Sequence, residues 1–213
     1  MTVGAAALRA HALGDDNALH VERLPVEPGG HRATGWWGVA LLIATEASLF
    51  AYLLVSYFYL GSLSRGPFTA QYGPPELKLA GPNTAILIAS SATMWWAESG
   101  IRDGRVGRLR AGLALTLLLG AVFLAIQFRE YSGLPFRPQS GAYGSLFWTI
   151  TGFHSAHVFV GLLAIAVVLL RALLGHFDAR RRLAVTNVSW YWHFVDVVWL
   201  FVFTSLYLSP RFT

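Results

Sequence analysis

The stretch Ser189 to Phe203, SWYWHFVDVVWLFVF, constrains the fold more than any other part of the chain. It sets aromatic rings, His193 and Asp196 among otherwise apolar positions, between the basic run Arg180, Arg181, Arg182 and the terminal Ser209-Pro210. Such a segment crosses a bilayer as a helix while keeping ionisable groups well inside the hydrocarbon. These groups are costly there, so they mark a functional or assembly site whose partners lie elsewhere in the chain or in a neighbouring subunit. Composition agrees with a membrane setting: 55% of the 213 residues are hydrophobic and only 13% charged, where soluble domains carry about 25% charged residues. The chain has no cysteine, which excludes disulfides, thiolate zinc sites and iron–sulfur clusters, so any metal would have to use His and carboxylate ligands. The net charge of +5 comes mainly from arginines in connecting segments. Membrane topology and lipid headgroups explain those arginines better than nucleic acid does.

The expected fold is all-α, a polytopic membrane protein built as a five-transmembrane-helix bundle with a cytoplasmic N-terminus. Residues 1–34 read as a polar tail, not a signal peptide, because no basic start leads into an apolar core. Residues 35–213 then form the membrane domain, with spans expected over about 36–60, 82–100, 109–128, 145–172 and 186–208. Pro82 is placed at the start of the second span, where its missing N–H costs nothing. The small residues Ala85, Ala89, Ser90, Ser91 and Ala92 suit close helix contact, and Trp95-Trp96 suit an interfacial belt. The Gly/Pro-rich segments 61–81 and 131–143 are surface connections. The fourth apolar stretch exceeds one span and so tilts or begins outside the hydrocarbon. No internal repeat or second domain is evident. Basic residues of the tail (Arg23, Arg32), the second connection (Arg102, Arg105, Arg108, Arg110) and the fourth (Arg171, Arg180, Arg181, Arg182) outnumber those opposite (Arg65, Lys78, Arg129, Arg137, Arg211). By the positive-inside rule that puts the N-terminus in the cytoplasm.

Five groups fall inside the expected spans: Glu46, His154, His157, His193 and Asp196. Glu46 lies ~15 Å along its helix from Trp36, about halfway through a ~30 Å hydrocarbon layer. His154 and His157, three apart, can both point into the bundle. A buried polar cluster of Glu46 with one or more histidines is the natural way to satisfy these groups. Three roles are open for Glu46: a hydrogen-bonded fastening between helices, a proton relay, or a metal ligand. Fastening is preferred, because a relay needs a continuous path and the Glu-x-x-His spacing of bundle metal sites is absent. For the histidines, haem ligation by His154 or His157 against His193 competes with the plainer reading, imidazoles bonded to Glu46, Asp196 or backbone. Gln127 and Glu130 sit at a membrane edge. Trp190, Trp192 and Trp199 read as packing and interface aromatics.

Taken together, SWYWHFVDVVWLFVFTSLYL, TGFHSAHVFVGLL, PNTAILIASSA, GAVFLAIQFREY and the Glu46-bearing LLIATEASLFAYLL resemble subunit III of the haem–copper oxidases, the cytochrome c and quinol oxidases. The resemblance implies a noncatalytic subunit of a respiratory terminal oxidase in a bacterial inner (plasma) membrane, carrying no cofactor of its own. It would pack on subunit I, which holds the haem and copper, with other oxidase subunits nearby. Bound phospholipid and support of proton uptake are implied as well. It also implies that Glu46 is the family's embedded glutamate, that His154 and His157 are its paired histidines, and that His193 and Asp196 are its closing pair. The mitochondrial-type subunit usually has seven spans and this chain matches the last five, as shorter bacterial forms do, so any missing helices would come from a neighbouring subunit. Three other readings predict different things: a subunit-III-like accessory protein of a nitric oxide reductase, an autonomous haem-binding membrane enzyme, and a transporter. The last would need broken helices in corresponding halves, which the sequence does not show.

Overall fold

The structure is a computed structural model and describes residues 34–64, 68–69, 72–73, 75–179 and 181–212. The expected polar tail lies outside these residues except for Thr34, as do Arg65, Pro74 and Arg180. The described part is all-α, with five long helices: α1 (Thr34–Leu63), α2 (Leu77–Arg102), α3 (Val106–Gly133), α4 (Gly141–Leu173) and α5 (Leu183–Phe203). The chain continues from α5 through a π-helical turn, Thr204–Leu208, into a 3-10 turn, Ser209–Arg211. Helices α1, α3, α4 and the α5 segment through Arg211 are each long and apolar enough to cross a membrane. Helix α2 is more polar, because it carries Lys78, Asn83, Glu98 and Arg102 and a run of hydroxyl residues.

Two expected helix limits are corrected. Pro82 is not the first residue of its helix but lies inside α2, which begins at Leu77. At the sixth helical position the proline forfeits the single bond its N–H would have made to the Lys78 carbonyl, and the preceding LKLA already favours helix. The second connection is also shorter than expected. Only Asp103, Gly104 and Arg105 separate α2 from α3, and Gly104 reverses the chain with φ at +73°, a conformation that glycine adopts without a Cβ clash.

Helices α2, α3, α4 and α5 close a ring in which each packs on the next and α5 returns to α2, while α1 lies outside, against α4 and α5. The ring closes tightly where glycines meet large side chains. A Cβ on Gly112 of α3 would stand 2.6 Å from the Cβ of Ala97 on α2, so the two backbones approach too closely for any larger residue there. The indole of Trp192 enters the centre of the ring between Gly120 of α3 and Gly161 of α4. It is fully buried and donates through Nε1 to Ser90 Oγ of α2 at 3.0 Å. Trp199, also fully buried, donates to Thr84 Oγ1 of α2 at 2.9 Å. In hydrocarbon, helices gain nothing from hiding apolar surface from water, so such close packing and inter-helix hydrogen bonds hold them together. Trp190 points outward and meets the ring of Trp36 edge-on, centroids 5.6 Å apart, which ties the start of α1 to α5.

Candidate functional site

The outer helix α1 meets the ring through a carboxyl–imidazole pair. Glu46 Oε2 lies 3.0 Å from His157 Nε2 on α4, and His157 Nδ1 lies 2.7 Å from the Phe153 carbonyl oxygen one turn back. A carbonyl only accepts, so Nδ1 carries the proton of that bond, and Nε2 and Glu46 share one proton between them. Wherever that proton sits, the pair is neutral overall. This makes it far cheaper to hold in hydrocarbon than a lone carboxylate. The pair is not sealed: the His157 side chain is 15% exposed and that of Glu46 27%. Phe50 of α1 packs edge-on against His157 at 5.1 Å, and the Tyr191 hydroxyl of α5 donates to the His157 carbonyl at 3.2 Å. One junction therefore ties three helices.

The structure distributes the five expected groups over three places. His154, three residues from His157 on α4, turns to the interior of the ring. It is fully buried, lies over Trp199 with centroids 4.7 Å apart and planes 33° apart, and meets Phe123 edge-on at 6.0 Å. Neither of its nitrogens has a hydrogen-bond partner, contrary to the expectation of a bonded imidazole. His193 and Asp196 face α2, away from Glu46. Nδ1 of His193 is 2.7 Å from Ser91 Oγ. Asp196 is buried beside the Ser91 hydroxyl, and neither of its carboxyl oxygens makes a hydrogen bond of normal geometry. Gln127 and Glu130 lie near the end of α3 with their side chains turned into the bundle. They bond each other at 3.4 Å beside the buried Tyr207. Among the described residues, no three His, Cys, Asp or Glu side chains come together as a group that could hold a metal ion.

One buried carboxylate was not anticipated. Glu98, near the end of α2, accepts from Ser189 Oγ at 2.8 Å and Thr186 Oγ1 at 3.4 Å on α5, and forms an ion pair with Arg102 one turn on. The sequence signal for it is the pairing of Thr186 and Ser189, three apart, which places two hydroxyls on one face of α5.

A family model for cytochrome c oxidase subunit III matches residues 31–210. That interval holds all five helices and every group described above. The chain belongs to the cytochrome c oxidase subunit III family. It is 40% identical over 178 residues to cytochrome c oxidase subunit 3 of Danio rerio, an alignment that covers 80% of this chain and 68% of the relative. With the subunit 3 of Scyliorhinus canicula the identity is 39% over 180 residues, again 80% and 68% of the two chains. With that of Pongo abelii it is 36% over 191 residues, 86% and 71%. As a subunit III family member the chain is a multi-pass membrane protein of a respiratory terminal oxidase, with other oxidase subunits as its partners. The Glu46–His157 junction and the tryptophan-filled ring thus belong to a protein that works inside a larger membrane complex.

Proposed function

We propose that this chain is the noncatalytic third subunit of a terminal oxidase in a bacterial inner membrane, reducing oxygen to water through the haem and copper of subunit I. Its work would be to stabilise subunit I, to hold phospholipid at their joint and to support proton uptake on the cytoplasmic face. It would cross the membrane five times over residues 35–213, with the tail 1–34 and the N-terminus in the cytoplasm, as the arginine-rich connections favour. The observation that carries this reading is the match to subunit III across all five described helices. The test is a reduced-minus-oxidised optical spectrum of the complex that copurifies with the chain in mild detergent. Bands of an oxygen-reducing haem–copper centre are expected in the complex, and none in the chain after it is stripped away. Bands that stay with the stripped chain would overturn the reading.

Within that function Glu46 acts as a fastening between α1 and α4. Glu46→Gln is expected to leave assembly and most oxygen turnover intact, because the amide donates to Nε2 of a neutral His157 and the pair stays uncharged. Glu46→Leu leaves the imidazole without its partner and is expected to lower the melting temperature of the chain in detergent, at a cost of about 1–2 kcal/mol. Loss of proton pumping in a fully assembled Glu46→Gln complex would instead make Glu46 a relay.

A further inference from the structure

A pocket of about 160 Å³ lies between α2 and α5 on the face that α1 leaves uncovered. Its walls are Leu87, Ile88, Val197 and Leu200, and Ser91, His193 and Asp196 give it a polar floor. The hydroxyl of Ser91 is committed to His193 Nδ1. The carboxyl of Asp196 has the same Ser91 hydroxyl beside it but makes no hydrogen bond of normal geometry, although the residue is only 6% exposed. A buried carboxyl left so poorly satisfied is rare and calls for a cause. We propose that this pocket receives one neutral hydrogen-bonding side chain, a hydroxyl or an amide, from a transmembrane helix of a neighbouring oxidase subunit.

Depth selects that occupant. Asp196 is the fourteenth residue of a 29-residue apolar segment, so it lies ~20 Å from the segment's start, near the middle of a ~30 Å hydrocarbon layer. Lipid headgroups and bulk water do not reach that level. Groups that do are the side chains of other membrane helices, and hydroxyls and amides commonly make such inter-helix bonds. They both donate and accept, which suits a floor made of a carboxyl, an imidazole and a hydroxyl, and they bring no charge into the hydrocarbon. The volume admits one side chain, not a helix. The rim suits a helix packed over it, since Ile88, Val197 and Leu200 expose 51%, 51% and 43% of their surface. The inserted side chain would complete the hydrogen bonding of the Asp196 carboxyl.

The inference rests on the chain's being a subunit of a membrane oxidase, and the test reads the two separately. A photo-crosslinking amino acid is placed at Leu200 and, as a control on an outward face of α4, at Val167, and the intact complex is irradiated in its native membrane. Copurification of the haem-bearing subunits reports the oxidase reading. The crosslinked peptide, mapped by mass spectrometry, reports the pocket. The expected result is one predominant adduct from Leu200, absent from Val167, in an apolar segment of a partner subunit with Ser, Thr, Asn or Gln within one helical turn. Asp196→Leu is expected to lower that crosslink several-fold, and Asp196→Asn, which keeps a donor and an acceptor, to preserve it. Adducts to lipid alone, or to a segment with no such polar residue, would overturn the proposal, as would unchanged crosslinking in Asp196→Leu. The crosslink in the parent complex decides the matter even where Asp196→Leu does not accumulate.

Discussion

Gly120→Val is expected to lower the melting temperature of the chain in mild detergent by roughly 10 °C, the equivalent of about 3 kcal/mol of overpacking in a chain of this size. A Cβ on Gly120 would stand 2.7 Å from Leu162 Cδ2 and 2.7 Å from Trp192 Cη2, closer than real Cβ atoms approach any neighbour. Leu162 has rotamers to move into, but the indole has no retreat. On its other side a Cβ at Gly161 would be 2.9 Å from Trp192 Cε3, and Nε1 is held by Ser90. Valine at 120 therefore has to push α3 away from α4 and α5, at a level where the neighbouring helices converge on a single side chain. Adding Trp192→Phe removes the Cη2 edge, and the double variant is expected to recover part of the loss despite forfeiting the Ser90 bond. A Gly120→Val chain that melts with the parent would mean that the ring does not close on Trp192.

The same indole shows why the helices were easier to read than their junctions. Each apolar run is bounded by Gly/Pro connections or arginines, so five helices follow from the sequence with little help. Their limits do not. Proline at the start of PNTAILIASSA is compatible both with a first-turn position and with a helix begun a turn and a half earlier; the helix propensity of LKLA leans to the second, and the burial of Ala80 in the core favours it further. Nothing in the sequence says that Gly120 and Gly161, forty-one positions apart, grip one ring. A small residue in an apolar run signals a close approach but does not name the neighbour.

The polar groups were legible as a set and not as an arrangement. That Glu46 needs an imidazole follows from the cost of a lone carboxyl in hydrocarbon, and the structure supplies His157. Two histidines three apart share a broad helix face, but ~100° per residue leaves them about 60° apart around the axis. That angle suffices to send His157 outward to α1 and His154 inward to Trp199. Glu98 was hidden for the opposite reason. A carboxylate four residues from an arginine near a helix end has the pattern of an exposed surface pair, which is worth little. Here the arginine side chain is indeed 54% exposed, but the carboxylate is 6% exposed and binds hydroxyls of another helix.

Trp199→Ala is expected to be as damaging as the Gly120 substitution and to have a second, chemical signature. The indole is fully buried, so its deletion forfeits the ring contacts with His154 and with Phe123 at 5.1 Å as well as the bond to Thr84. Large-to-small changes at such sites cost about 3–5 kcal/mol, because the surroundings relax only partly. The void would not be an isolated one. Trp199 is also a wall of the pocket between α2 and α5, so removing it joins that pocket to the interior of the ring and uncovers His154. In the parent chain diethyl pyrocarbonate should leave His154 unmodified, since no surface of that residue is accessible. In Trp199→Ala the reagent should modify it, as peptide mass spectrometry would show, while Trp199→Phe keeps a ring in place and with it most of the protection. Full protection of His154 in the alanine variant would mean that the ring of helices collapses into the gap, and that packing from Phe123 and Phe50, not the indole, keeps this imidazole from its surroundings.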